Sequence, residues 1–176
     1  TIFRAGEVLA LPRRVAEPSG ILNHGTTEVW RTSYSGNFER EDPFIQSIEA
    51  KFDALLGLPR EWGETIQGQR YAPGQQFRDH LDLFWTEADY WPDEARRGGQ
   101  RSITAMVYLN EVEGGGETEF PHLRASIPPQ KGVVVVWNNA LPDGSVNANT
   151  LHAGRPVTAG TKYIITKWYR TRPWGE

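Results

Sequence analysis

The stretch LHAGRPVTAGTKYIITKWYR, residues 151–170, combines the end of one strand, a turn and a longer second strand. Gly154, Pro156 and Gly160 interrupt its first half, whereas residues 162–169 are rich in β-branched and aromatic side chains. Several short strands separated by Gly and Pro predict a β-sandwich or barrel instead of alternating βαβ units. Three further segments show the strand-like composition: IQGQRYA at 66–72, RSITAMVYLN at 101–110 and GVVVVWNN at 132–139.

One amphipathic helix is predicted ahead of these strands, in EDPFIQSIEAKFDALLGLP at residues 41–59. Asp42 is a typical N-cap, Pro43 suits the first helical position and Gly57 suits the end. The first thirty residues have an ambiguous pattern and could add an edge strand. The apolar residues of the helix recur at helical spacing and would form one buried stripe: Phe44, Ile45, Ile48, Phe52, Leu55 and Leu56.

Length and composition restrict the class of protein. A chain of 176 residues fits one domain with a sizeable core, so residues 1–176 are treated as a single domain. The formal net charge of -3 offers no broad positive field for nucleic acid or an anionic membrane. No apolar run approaches the roughly 18 residues of a membrane helix. The absence of cysteine excludes disulfides and thiolate ligands and suits a cytoplasmic location.

A histidine and an aspartate lie two apart in DHLDLF, residues 79–84. Residues i and i+2 of a strand project from the same face, so His80 and Asp82 would point into one space. Among the other histidines, His152 is the best candidate to complete a three-ligand metal site. Two imidazoles and a carboxylate suit an Fe(II) oxygenase or a zinc hydrolase, and ligand types alone do not separate these. The remaining histidines, expected on the surface or in turns, are His24 and His122.

Lys162 favours iron over zinc. It lies ten residues after His152, at the start of an apolar strand, where a partly buried cation needs an anionic partner. A dicarboxylate that chelates iron at one end and pairs with Lys162 at the other would supply that partner, and this describes 2-oxoglutarate. Tyr71 and Thr104, on neighbouring predicted strands, could donate hydroxyl hydrogen bonds to its carboxylates.

Ordered blocks of the sequence resemble the prolyl 4-hydroxylase-type, Fe(II)- and 2-oxoglutarate-dependent dioxygenases. WRTSYSGNF and the helix after it are similar to the N-terminal part of that catalytic domain, so the resemblance runs from about residue 30 to the end. It implies a mainly β fold with flanking helices, the cupin-like jelly roll or double-stranded β-helix. The other matching blocks are RYAPGQQFRDHLD, GGQRSITAMVYLNEVEGGGETEFP, IPPQKGVVVVWNN and LHAGRPVTAGTKYIITKWYR.

The resemblance assigns roles to particular residues. The implied Fe(II) ligands and catalytic residues are His80, Asp82 and His152. The implied 2-oxoglutarate contacts are Lys162 and Tyr71, to which the hydroxyl argument above adds Thr104. The implied substrate contacts are Arg101, which matches an arginine that holds the peptide in related enzymes, and Trp168 at the pocket wall.

The activity implied is hydroxylation of an unactivated C–H bond, most simply of proline in a peptide or protein. It would be coupled to oxidative decarboxylation of 2-oxoglutarate to succinate and CO₂, with O₂ as co-substrate and ascorbate as an accessory cofactor. Two alternatives stay open: hydroxylation of a free amino acid or small metabolite, and a metal-binding jelly-roll module without turnover. Small relatives imply a homodimer by analogy. Phe77 and Asp79 depart from the family's usual residues, which weakens any statement about the particular peptide.

Overall fold

Two antiparallel six-stranded sheets dominate the computed structural model, which describes residues 17–18, 21–22 and 29–175. In chain order the strands are β1 (Glu17–Pro18), β2 (Ile21–Leu22), β3 (Val29–Arg31), β4 (Tyr34–Asn37), β5 (Gln67–Tyr71), β6 (Phe77–His80), β7 (Arg101–Tyr108), β8 (Gly114–Gly115), β9 (Thr118–Phe120), β10 (Ala125–Ile127), β11 (Val134–Asn138), β12 (His152–Gly154), β13 (Val157–Ala159) and β14 (Lys162–Arg170). The helical elements are α1 (Pro43–Leu56) and α2 (Trp91–Arg96), with short 3-10 turns η1 (Arg60–Trp62), η2 (Pro121–Leu123) and η3 (Ala148–Thr150).

The two sheets face each other across a pocket. The major sheet has the order β1-β4-β5-β14-β7-β11 and the minor sheet the order β10-β9-β12-β6-β3-β2, while β8 pairs with β13 separately. Tyr71 and Lys162 line the pocket from the major sheet, and His80 and His152 line it from the minor sheet. This arrangement confirms the predicted double-stranded β-helix. The four predicted strands correspond to β5, β7, β11 and β14.

The N-terminal residues contribute strands at the edges of both six-stranded sheets. Strand β1 lies at one edge of the major sheet and β2 at one edge of the minor sheet, so an edge strand does form within the first thirty residues. His24 lies outside the described residues.

Helix α1 begins and ends where its capping residues predict. The carboxylate of Asp42 accepts hydrogen bonds from the backbone N–H groups of Phe44 and Ile45, and Gly57 ends the helix with a left-handed φ of 64°. Helix α2 is short and was not predicted. Neither helix, nor any other in the described part of the chain, is long and apolar enough to cross a membrane. The apolar side chains that α1 buries against the major sheet are Ile45, Ile48 and Phe52, whereas Leu55 of the predicted stripe is exposed.

Strand β14 separates two layers of core, because its side chains alternate between the two faces of the sheet. Ile164 belongs to the cluster on the pocket side, whereas Ile165 and Tyr169 belong to the cluster beneath α1. The same alternation buries two lysines on opposite faces. Lys162 points into the pocket and Lys167 points toward α1.

A buried ion pair joins α1 to the outer face of this strand. The ammonium of Lys167 lies 2.9 Å from a carboxylate oxygen of Glu49, and both side chains are fully buried. The second oxygen of Glu49 lies 3.0 Å from the guanidinium of Arg60. A side chain at Gly63 would collide with Lys167, since a Cβ there would come within 2.4 Å of the lysine Cε. The helix is therefore fixed to the sheet by charge as well as by apolar contact.

We expect Glu49→Ala to reduce the free energy of unfolding by about 3–5 kcal/mol, because it removes the nearest counter-charge of the buried ammonium of Lys167 and leaves it with Asp53 at 4.0 Å. Urea denaturation followed by tryptophan fluorescence measures this loss. The double variant Glu49→Leu/Lys167→Met is the control and should recover most of the stability, since an apolar pair replaces the ionic one. A loss below about 1 kcal/mol for Glu49→Ala, the size of an exposed pair, would contradict the argument.

Candidate active site

Three predicted ligands converge at one end of the pocket. One ligand atom from each of His80, Asp82 and His152 lies within 4.8 Å of the others. The two imidazoles meet because His80 on β6 and His152 on β12 are direct cross-strand partners, with ring centroids 4.2 Å apart. The Asp82 carboxylate lies between them, 3.7 Å from Nε2 of one ring and 3.8 Å from Nε2 of the other. The three side chains thus meet as expected, and their role as Fe(II) ligands stays a prediction.

Asp82 reaches this position differently from the way the sequence suggests. Strand β6 ends at His80, so Asp82 follows in a bend instead of standing on the same strand. Strand β12 begins at His152, directly opposite, and offers no ladder partner beyond that point. The carboxylate is held instead by the hydroxyl of Thr104, which donates to it at 2.9 Å.

Backbone carbonyls determine which ring nitrogen of each histidine is available. Nδ1 of His80 lies 2.7 Å from the carbonyl oxygen of Arg78, and Nδ1 of His152 lies 2.9 Å from that of Thr150. A carbonyl can only accept, so both Nδ1 atoms carry the proton in the neutral ring. Both Nε2 lone pairs are therefore free and directed toward Asp82, as metal coordination requires.

The protonation states also suit metal binding. Burial, reinforced by the nearby His152, lowers the pKa of His80 to about 3 despite the opposing charge of Asp82. Burial alone would raise the pKa of Asp82, but His152, His80 and Arg101 outweigh it and hold that pKa below its ordinary value. A neutral imidazole and an ionised carboxylate are the forms that ligate a metal.

Lys162 is a buried cation at the other end of the pocket. Its side chain is 1% exposed, and its ammonium donates to the carbonyl of Gly116 at 2.8 Å and lies 4.5 Å from the ring centroid of Tyr71. Among the described residues, no carboxylate forms an ion pair with it. Burial lowers the pKa of Lys162 to about 8, although Glu117 acts in the opposite direction. A buried ammonium with so few partners is suited to receive an anionic ligand.

The space between the metal ligands and Lys162 is a pocket that is partly open to solvent. Gly154 lines it near the ammonium, where a Cβ would lie 3.5 Å from Nζ of Lys162, an ordinary contact distance. Its remaining walls are partly apolar and partly polar. The apolar residues are Phe77, Met106 and Ile164, and the polar residues that sequence reasoning missed are Gln69, Thr118 and Thr166.

The two predicted hydroxyl donors have protein partners. Tyr71 donates to Oε1 of Gln69 at 2.8 Å, so its contact with 2-oxoglutarate stays a prediction that requires a change of partner. Thr104 directs its single hydroxyl proton at Asp82 and accepts a hydrogen bond from Asn139 at 2.9 Å. Thr104 therefore acts on the metal ligand, and the structure does not aim its donor at the Lys162 end of the pocket.

Trp168 lines the pocket, and Arg101 stacks on its indole. The guanidinium of Arg101 lies over the indole of Trp168, 4.0 Å from its centroid, and makes two 2.7 Å hydrogen bonds to the carboxylate of Glu64. Glu64 also accepts from Arg170, which makes it the shared partner of two arginines. Direct contact of Arg101 or Trp168 with a substrate stays a prediction. Nothing in the local sequence around Glu64 indicates its partners, which lie 37 and 106 residues away.

This geometry agrees with a comparison against known families. Residues 66–170 match the family model described as the 2OG-Fe(II) oxygenase superfamily. The chain belongs to this superfamily. The matched segment begins just before β5 and ends with β14, so it contains all three candidate metal ligands together with Lys162.

Individual relatives point to one branch of the superfamily. The chain is 33% identical to the probable prolyl 4-hydroxylase 7 of Arabidopsis thaliana, over 81% of this chain and 49% of that protein. It is 34% identical to the prolyl 4-hydroxylase subunit alpha-1 of Rattus norvegicus, over 84% and 28%. The chain thus spans about half the length of the plant relatives and less of the animal one.

One solved structure matches nearly the whole length of this chain. The viral collagen prolyl hydroxylase of Paramecium Bursaria Chlorella virus-1, in its complex with 2-oxoglutarate, superposes with a TM-score of 0.73 at 31% identity. The match covers 96% of this chain and 92% of that one.

The residues of this chain fit the superfamily's two cofactors. Two imidazoles with free Nε2 atoms and one carboxylate form the facial set that binds Fe(II) with coordination positions left open. The buried ammonium of Lys162 fits the distal carboxylate of 2-oxoglutarate. Ascorbate stays a prediction.

We expect the affinity for 2-oxoglutarate, measured by calorimetry on the Mn(II)-loaded protein, to fall as the pH rises above 8. Lys162 has its pKa lowered to about 8 and loses its charge in this range, so binding weakens by up to about tenfold per pH unit. Lys162→Arg stays charged and is the matched control, with a flatter pH profile. A wild-type affinity that is constant across this range would contradict the assignment of Lys162.

Proposed function

We propose that this protein hydroxylates proline residues in a peptide or protein. The reaction consumes 2-oxoglutarate and O₂ and releases succinate and CO₂, with one oxygen atom entering the substrate C–H bond and the other entering succinate. The observation that carries the proposal is the site itself, a His-Asp-His set facing a buried lysine, in a chain similar to prolyl hydroxylases over nearly all of its described length.

Each residue of the site has a separate task in this reaction. His80, Asp82 and His152 would hold Fe(II), which supplies the O₂ chemistry needed to break an unactivated C–H bond. Lys162 would pair with the distal carboxylate of 2-oxoglutarate and so fix its orientation. The apolar side chains of the pocket would exclude water from the reacting centre.

Similar proteins support a peptide as the substrate, because several of them are prolyl 4-hydroxylases. Trp168 and Arg101 would contact that substrate at the pocket. The buried indole N–H of Trp168 faces the carboxylate of Asp82 and helps to lower its pKa, so the edge of the indole is turned toward a metal ligand. Arg101 lies over the indole face and holds it in place.

Two further points about partners and location stay predictions. A homodimer is expected by analogy with small relatives. A cytoplasmic location is expected because the chain contains no cysteine.

We expect proline-containing peptides, incubated with the protein, Fe(II), 2-oxoglutarate and O₂, to gain one oxygen atom on proline. Tandem mass spectrometry locates the oxygen, and succinate release measured in parallel shows whether the reaction is coupled. Asp82→Ala is the control and should reduce both signals to background, because it removes a metal ligand.

The alternative substrate class gives a different pattern. Succinate release stimulated by free proline or another free amino acid, with no gain of oxygen on any peptide, would contradict the proposal and favour a small-metabolite hydroxylase. Metal binding without any 2-oxoglutarate consumption would instead identify a binding module without turnover.

A further inference from the structure

Three buried side chains form a series of hydrogen bonds that ends at Asp82, the carboxylate among the candidate metal ligands. Thr104 donates to Oδ2 of Asp82 at 2.9 Å, and the side-chain amide of Asn139 donates to the hydroxyl of Thr104 at the same distance. The exposed fractions of Asp82, Thr104 and Asn139 are 7%, 0% and 3%. Water therefore has little access to any of these groups. Asp82 is held by Thr104 and is also faced by the indole N–H of Trp168, whereas Thr104 links Asp82 to Asn139.

The direction of these hydrogen bonds requires a donor at position 139, which the amide of Asn139 supplies. An ionised Asp82 can only accept, so the single hydroxyl proton of Thr104 must point toward it. The hydroxyl then has only lone pairs to offer Asn139, which must donate. Oδ1 of Asn139 is buried and accepts no hydrogen bond from the described residues, so the donor end of the amide is what holds this side chain.

The backbone of Asn139 is connected by hydrogen bonds to His152, a second buried candidate ligand. The carbonyl of Asn139 accepts from the N–H of Asn147 at 3.0 Å, and the carbonyl of Asn147 accepts from the N–H and the hydroxyl of Thr150 at 3.0 and 2.8 Å. The carbonyl of Thr150 lies 2.9 Å from Nδ1 of His152 and selects its tautomer. Three consecutive hydrogen-bonded steps thus join Asn139 to His152.

Asn139 is itself fixed to the major sheet. It follows the last residue of β11, and its N–H donates to the carbonyl of Ser102 on β7 at 2.8 Å. His80, in contrast, takes its orientation from its own strand, through the carbonyl of Arg78. Asn139 therefore influences two of the three ligands and leaves the third alone.

We propose that Asn139 is a positioning residue that couples Asp82 to His152 and sets the spacing between their ligand atoms. Its side chain holds the carboxylate through Thr104, and its carbonyl anchors the loop that presents the imidazole. The inference rests on the metal site of the proposed function but not on its substrate.

The test measures Mn(II) binding to the metal-free full chain, without 2-oxoglutarate or substrate, by the electron paramagnetic resonance signal of free Mn(II). Asn139→Asp keeps the shape but replaces the donor with an acceptor, and it should weaken Mn(II) binding by about 10–100-fold, the usual effect of a lost outer partner. Asn138→Asp is the matched control. It adds the same charge one residue away on an exposed side chain and should leave the affinity within about threefold, inside the scatter of surface changes.

A second pair of variants keeps the proposal testable if Asn139→Asp does not fold. Thr104→Val removes the hydroxyl and should weaken Mn(II) binding to a similar extent, whereas Thr104→Ser retains the hydroxyl and should preserve it. The double variant Asn139→Asp/Thr104→Val should bind no more weakly than the worse single variant, because both interrupt one chain.

Wild-type affinity in a folded Asn139→Asp or Thr104→Val protein would overturn the proposal. Equal losses in Asn139→Asp and Asn138→Asp would also overturn it, since charge alone would then explain the effect. Because no peptide is present, a failure of proline hydroxylation leaves this result intact, whereas absence of Mn(II) binding by the wild-type chain would overturn the metal site itself.

Discussion

The alternation of side chains along β14 is the constraint on which the rest of the structure depends. This strand lies in the interior of the major sheet, paired with β5 on one side and β7 on the other. One face presents Lys162 to the pocket, and the other presents Lys167 to Glu49 of α1. A shift of register by one residue would exchange the faces, placing the pocket cation in the core and separating the ion pair from its helix.

The minor sheet contributes its ligands under a similar constraint. His80 and His152 stand opposite each other only in the observed register of β6 and β12. Because the ladder ends at that pair, Asp82 and the residues after it are free of strand pairing and can turn toward the metal position. The site thus combines two ligands fixed by backbone pairing with one fixed by side-chain hydrogen bonds.

Local rules account for what could be predicted from the sequence. The caps of α1, the four long strands and the candidate ligands depend on residue type and short spacing, and the jelly roll followed from a resemblance that runs through those same blocks. Long-range partners were not predictable in this way. Glu64 meets Arg101 across 37 residues, and Asn139 meets Thr104 across 35, and no local pattern indicates which of these residues will be neighbours. The period-2 pattern predicts a strand through Asp82, because such a pattern does not show where the ladder ends.

The buried ammonium of Lys162 restricts which keto acids can bind in the pocket. A monocarboxylate such as pyruvate could chelate a metal but would leave the ammonium uncompensated at the far end, and an unpaired buried charge is expensive. A second carboxylate at that end supplies the missing counter-charge, so the buried lysine favours a dicarboxylic keto acid over a monocarboxylic one.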